Sequence, residues 1–388
     1  MRVAHIGDTH IGLNYPGPTP ESRFNDITRV LDWCGDRIIE ENCELVLIAG
    51  DMFKDARVFL DRASREITAA AKWLRRLTGA GCQVVMISGT PSHDAIAAYQ
   101  LLREMQIDGL TIATEPTVIT IPPAVRVACL PGTNRAAWAS KEEYKHLPPQ
   151  QIHQIMTDEI TETCRNMKAE ILLGHLTYDL ADKGFEDVLM QHEPLLTTEA
   201  IEGYHLVALG HIHRPQRNGN VFYCGSPERL TFNDEHVTPG FWIYEYEGRG
   251  PYPGISARFI ETPARRHLTI DWDAAAVQTY LDTGRVSWPF IADSIVRLRY
   301  GCPDTMAKQI NRRALEAAIY EAGAYYVSEI LGAVTESTRD RDQKVTAEMG
   351  VIDALQMWCD QPEIGIKPEE VPALLAMAGE LLQGGTSE

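Results

Sequence analysis

Five short apolar runs of this chain each stop at an aspartate or a histidine. "RVAHIG" leads into Asp8 and His10, "ELVLIAG" into Asp51, and "CQVVMISG" into Thr90, Pro91, Ser92, His93 and Asp94. "AEILLGH" ends on His175, and "YHLVALGH" ends on His211, with His213 two residues later. Brief β-branched runs bounded by glycine read as buried strands. Residues 21–41 and 60–78 carry helical periodicity between them, and "TPES" offers a helix start. Strands and helices are therefore mixed in a layered α/β arrangement.

Open α/β sheets bind ligands at the carboxyl ends of their strands. Asp and His delivered there from five strands make a mixed nitrogen and oxygen donor set, suited to manganese, iron, zinc or similar divalent ions. The D-x-H and H-x-H spacings put both side chains of a pair on one side of an extended segment, so each pair can chelate one centre. His5, His146, His153, His192, His205, His236 and His267 have no such setting and read as satisfied core or surface residues.

The 388 residues, 44% of them hydrophobic, suffice for one large domain with an appendage or for two domains. We read no secretory leader in "MRVAHIGDTH", and no apolar run approaches the roughly 18–20 residues that span a bilayer. Eight scattered cysteines without a CxxC pair fit a reducing compartment, so the expectation is a cytoplasmic protein with no membrane contact. A net charge of −18 argues against holding nucleic acid by overall field. It leaves room for local phosphate binding through cations, which invert the charge of their surroundings.

The ordered series D-x-H, GD, HD, GH and GHxH resembles the signature of the calcineurin-like metallophosphoesterases. The segment "GSPERLTFND…PGFWIYEY" is similar to the corresponding part of the Mre11/SbcD DNA-repair nucleases. That resemblance implies a four-layer α/β/β/α metallophosphoesterase sandwich with a small α+β capping domain and C-terminal helices. It implies two divalent ions, manganese first and magnesium second. Asp8, His10 and His213 would hold one ion, Asp51 would bridge, and His175 and His211 would hold the other. His93 matches the catalytic histidine beside the leaving oxygen, and Asp94 the acid that orients it.

Two positions depart from the family. Ser92 stands where the family's ligating Asn is expected, after two extra residues, and Lys54 stands where archaeal members carry a His. Lys54, Arg214 and Arg217 are candidates for substrate phosphates, the two arginines because they directly follow the GHIH loop. The expected domains are a nuclease domain over 1–262, a capping domain over 263–335 and a C-terminal helical region over 336–388. By the same resemblance the partners are DNA, a second copy of the chain, paired through helices near 60–78 and 94–106, and an SMC/Rad50/SbcC-like ATPase docked on "VPALLAMAGELL". The leading reading is a metal-dependent DNA exonuclease that also cuts single strands internally. Its rivals are a phosphoesterase for phosphomonoesters or cyclic nucleotides, and a non-enzymatic scaffold.

Overall fold

The computed structural model describes residues 1–55, 60–92, 94–184, 193–247, 255–284, 288–335, 349–360 and 366–384. Contacts divide the chain into two compact units, the larger formed by Met1–Trp272, Gly284–Arg299 and Asn311–Leu331.

That unit opens with β1 (Arg2–Ile6), α1 (Pro20–Glu40), β2 (Leu45–Ala49), α2 (Leu60–Gly79), β3 (Gln83–Ile87), α3 (Ile96–Glu104) and β4 (Leu110–Ala113). Thr19 caps α1 in a reciprocal box with Ser22, and Pro20 occupies the first turn, where its missing N–H costs nothing. Then come β5 (Thr117–Ile121), β6 (Val125–Leu130), α4 (Arg135–Ala139), α5 (Pro149–Asn166), β7 (Ile171–His175), β8 (Thr177–Tyr178) and β9 (Leu195–Leu196). The remaining strands of the two main sheets are β10 (Leu206–Gly210), β11 (Gln216–Asn218), β12 (Val221–Tyr223), β13 (Gly240–Tyr246) and β14 (Ile255–Glu261).

Two six-stranded sheets result, ordered β14-β13-β1-β2-β3-β4 and β11-β12-β10-β7-β6-β5. β1 to β4 run parallel to one another. So do β6, β7, β10 and β12. Successive residues of a strand face opposite ways, and both faces here are covered. Val46 and Ile48 of β2 point into a core shared with α1, α2 and α3. Leu45, Leu47 and Ala49 point into a core filled from the other sheet by Val127, Ile171, Leu173 and Ala208. The alternate residues Leu172, Val207 and Leu209 meet Ile160 and Cys164 of α5 on the far side. Three cores separate four layers, α/β/β/α, as expected.

A three-stranded sheet, β15-β16-β17, is built from β15 (His267–Trp272), β16 (Ile295–Pro303) and β17 (Tyr326–Thr335). Between β16 and β17 the chain forms two helices, α7 (Asp304–Ala307) and α8 (Arg312–Glu321). The break has a local cause, because Asn311 takes an extended backbone and its side chain caps the amide of Ala314. The smaller unit is Asp273–Thr283, Tyr300–Ile310 and Gly332–Glu388. It holds α6 (Ala274–Thr283), α7, α9 (Val351–Cys359) and α10 (Val371–Gly384), the last two packed together. Of the helical region expected over 336–388, residues 336–348, 361–365 and 385–388 lie outside the described residues. No helix among the described residues is long and apolar enough to cross a membrane.

Candidate metal centre

The loops after β1 and β2 run side by side past the end of their sheet. Asp8 N donates to Gly50 O at 3.1 Å, His10 N to Asp51 O at 3.0 Å, and Ile11 N to Met52 O at 2.9 Å. The backbone bends sharply in these loops and again after β10. Asp8, His10, Asp51 and His211 all have positive φ, at 49°, 45°, 47° and 94°. Non-glycine residues rarely adopt that region, and such strain concentrates at functional sites.

The bends bring the strand-end side chains together. Ligand atoms of Asp8, His10 and His213 lie within 4.8 Å of one another, as do those of Asp8, Asp51 and His175. His10 Nε2 is 3.6 Å and His175 Nε2 is 3.4 Å from Asp51 Oδ2. The rings of His10 and His213 meet edge to face at 5.4 Å, and those of His175 and His211 at 5.1 Å. His175 Nδ1 donates to Ala49 O at 2.7 Å, which fixes the tautomer and turns Nε2 inward. The His211 amide donates to both oxygens of Asp8, at 3.0 and 3.1 Å, and Ser226 Oγ donates to the Asp8 carbonyl at 2.8 Å.

Close approach here depends on absent side chains. A Cβ on Gly89 would lie 1.9 Å from Asp51 Oδ1, and one on Gly210 would lie 2.2 Å from Ala49 O.

These residues fit divalent cations. Asp8 and Asp51 are buried carboxylates of like charge a few ångströms apart, an arrangement that is costly unless cations balance it. Burial, reinforced by Asp51, holds Asp8 above the ordinary carboxylate range against the pull of His175 and His213. Burial disfavours a charged His175, but Asp51 and Asp8 outweigh it and lift the imidazole to about 10. His175 Nε2 is buried and makes no hydrogen bond among the described residues. Imidazole and carboxylate donors of this mixture suit transition-metal dications.

The remaining expected residues occupy different settings. His93 lies outside the described residues. Asp94 is buried; its Oδ2 accepts from the Gly89 amide at 2.7 Å and the Tyr99 hydroxyl at 2.5 Å, and its Oδ1 from the Phe53 amide at 3.2 Å. Burial, then the charge of Asp51, pushes Asp94 up to about 7. Ser92 is exposed. In the same loop Thr90 contacts the cluster: its amide donates to Asp51 Oδ1 at 2.8 Å and its hydroxyl lies 3.5 Å from His211 Nδ1. Lys54 is partly buried, with its amide bonded to Ile11 O. Arg214 pairs with Asp182 at 2.7 Å and lines a cavity of about 30 Å³ with His213, Asp234 and Lys183. Arg217 bonds the Gly219 carbonyl and lies over the Phe222 ring, and neither partner belongs to the cluster.

Two carboxylates escaped sequence reasoning. Glu193 Oε2 is 2.6 Å from His211 Nε2, and Asp234 Oδ1 is 3.5 Å from His213 Nδ1. Glu193 follows no strand and belongs to no motif. Asp234 sits inside "GSPERLTFND" and was within reach of that signal.

The calcineurin-like phosphoesterase family model matches residues 1–215 of the chain. Among curated proteins, the chain is similar to the DNA double-strand break repair protein Mre11 of Aeropyrum pernix, 26% identical over 70% of this chain and 63% of that one. It is similar to the Mre11 of Methanopyrus kandleri, 22% identical over 70% of this chain and 59% of that one. It is similar to a subunit of the SbcCD nuclease of Rhodobacter capsulatus, 24% identical over 68% and 69%. The chain thus spans about three fifths of the length of the two Mre11 relatives.

Proposed function

The chain belongs to the calcineurin-like phosphoesterase family, and on that premise we propose that it is a two-metal DNA nuclease acting in end processing or repair. The reading is an exonuclease that also cuts single-stranded DNA internally. The observation that carries it is the convergence of Asp8, His10, Asp51, His175, His211 and His213 from two sheets onto one buried cluster. Similarity to proteins named for break repair and for nuclease activity supports DNA as the substrate.

In this reading Asp8, His10 and His213 would hold one divalent ion, His175 and His211 the second, and Asp51 would serve both. Manganese is the first candidate and magnesium the second. Such ions, when bound, supply Lewis-acid charge that lowers the pKa of water and stabilises an in-line phosphoryl centre. His93, placed by its motif, gives a proton to the leaving oxygen. Asp94 secures the loop that carries it. Arg214, beside His213, meets a substrate phosphate, and Lys54 is a second candidate for that contact. Ser92, in the place of the family's Asn, is read as meeting the second ion directly or through water, and Thr90, 3.5 Å from His211 Nδ1, is a second loop hydroxyl near it.

The 263–335 segment is read as a capping domain. A homodimer is proposed through the α3 face that leaves Ile96, Leu101 and Met105 partly exposed while Ala98, Tyr99 and Leu102 pack inward. An SMC-like ATPase is proposed to dock on the C-terminal helices, where Trp358, Leu374 and Met377 are exposed. All eight cysteines are free and buried, which supports a reducing, cytoplasmic setting.

The test is a cleavage assay with end-labelled single- and double-stranded DNA of defined ends, set beside p-nitrophenyl phosphate esters, across Mn, Mg, Co and Zn. Metal-dependent DNA cleavage is expected. Turnover of the small esters with intact DNA would assign the site to a small-molecule phosphoesterase, which the charge of −18 favours.

A further inference from the structure

Glu193 belongs to none of the strand-end motifs, yet it makes a closer contact with the cluster's imidazoles than any other described carboxylate. Its Oε2 stands 2.6 Å from His211 Nε2 and also accepts the Thr177 hydroxyl at 3.3 Å. Thr177 is fully buried on β8, two residues past His175, so the carboxylate is anchored to the segment that carries the neighbouring imidazole. An ionised carboxylate only accepts hydrogen bonds, so Nε2 of His211 must carry the proton. In a neutral ring that leaves Nδ1 with the lone pair. Nδ1 faces the Thr90 hydroxyl at 3.5 Å, on the loop whose amide binds Asp51.

His211 is held at three places. Its amide is fixed by Asp8, its ring meets that of His175 edge to face at 5.1 Å, and its far nitrogen is fixed by Glu193. The backbone at φ 94° gives the ring an unusual exit angle, and a carboxylate behind a ligating histidine fixes its tautomer and ring orientation. His213 differs. Its Nδ1 faces Asp234, which leaves Nε2 for the centre.

We infer that Glu193 is a positioning residue of the metal centre: it holds His211 by Nε2–H so that Nδ1 is the donor offered to one of the two ions. The inference rests on the two-metal reading above. It makes the two histidines of the H-x-H pair present unlike nitrogens, each selected by its own carboxylate.

The experiment uses the full ¹⁵N-labelled chain, stripped with chelator, and reads the His211 tautomer by long-range ¹H–¹⁵N correlation. Calorimetric titration with Mn²⁺ alone follows, for the parent, Glu193→Ala and Glu193→Gln. The parent should show the Nε2–H tautomer and two binding events. Glu193→Ala should mix the tautomers and weaken one event by about 10–100-fold, the usual cost of losing a carboxylate behind a ligating histidine, with the other event unchanged. Glu193→Gln, whose amide oxygen can accept the same hydrogen bond, should recover the tautomer and most of the affinity. An Ala variant with the parent's tautomer and both affinities overturns the inference. So does equal loss of both events together with a lowered melting temperature, which would make Glu193 a residue of the fold alone. A parent that binds no Mn²⁺ instead overturns the two-metal reading itself.

Discussion

Tyr99 donates its hydroxyl hydrogen to Asp94 Oδ2 at 2.5 Å while accepting the Met52 amide at 3.2 Å. One buried oxygen thereby ties the loop after β2 to the loop after β3. Tyr99→Phe removes both bonds and leaves a buried carboxyl and a buried amide short of a partner. The expected loss is roughly 1–3 kcal/mol, read as a shift of the urea midpoint at constant slope. A midpoint equal to the parent's would mean the loops hold each other without this hydroxyl.

Gly89→Ala should empty the centre. The new Cβ would fall on Asp51 Oδ1, and 2.3 Å from the Asp51 amide, so the shared carboxylate must move. Mn²⁺ titration should then lose both binding events while circular dichroism keeps the mixed α/β spectrum. Retention of two tight events would refute the crowding argument.

His93→Ala should slow DNA cleavage by about 10²–10⁴-fold, the usual contribution of a general acid or base. Metal content by mass spectrometry and DNA binding by anisotropy should stay near the parent's. A variant that loses its metal would make His93 a ligand.

Arg265 links a distant segment to α1 through two 2.8 Å bonds to Asp26, whose other buried partner is Arg23. Glu228 lies in the same network, accepting the Arg265 amide, and burial pushes it up to about 7. Arg265→Ala removes both bonds but leaves Asp26 paired with Arg23 and, at 3.7 Å, with Arg29, so the expected loss is about 1.5–3 kcal/mol, that of a hydrogen bond to a charged group. Chemical denaturation measures it, and a change near zero would show that Arg23 and Arg29 satisfy Asp26 between them.

Acid should weaken the fold through His5 and His267. Burial pushes both down to about 3 from the ordinary 6.5, with the Arg23 guanidinium adding to the effect at His267. Between those values the unfolded chain takes up protons that the folded chain refuses. The stability is therefore fully present above pH 6.5 and drains as pH falls toward 3, by about 1.4 kcal/mol per pH unit for each histidine. His267 stands edge-on to Phe232, so His267→Phe keeps the packing and should flatten the acid limb of a stability–pH curve. An unchanged slope would assign the acid sensitivity to other groups.

The cluster was legible because strands advertise their ends. An apolar run that stops at glycine and then shows Asp or His places that side chain at the sheet's carboxyl edge, and six such residues converge here. Glu193 and Asp234 carry no such marker. They meet the imidazoles only through tertiary return of their loops, 18 and 21 residues from their partners. The inward turn of Thr90 was hidden for a related reason, since the route of a loop is set by what it bonds, here Asp51. The positive φ of four non-glycine residues has no compositional signature at all. The break before α8 was readable in hindsight from Asn311, whose side chain competes for the backbone.

Asp8, His10 and Asp51 hang from one sheet, and His175, His211 and His213 from the other. Between the sheets β2 faces β7 and β10 across Leu47, Ala49, Leu173 and Ala208. The gap between the two half-sites is therefore gauged by hydrocarbon. Interiors packed to crystalline density yield little when a methylene is added, so Ala208→Val would act as a shim, prising the half-sites apart without touching a donor. The chain's choice between a smaller and a larger dication would then be tuned from the greasy middle of the sandwich, and competition between Mg²⁺ and Mn²⁺ in that variant would register the change.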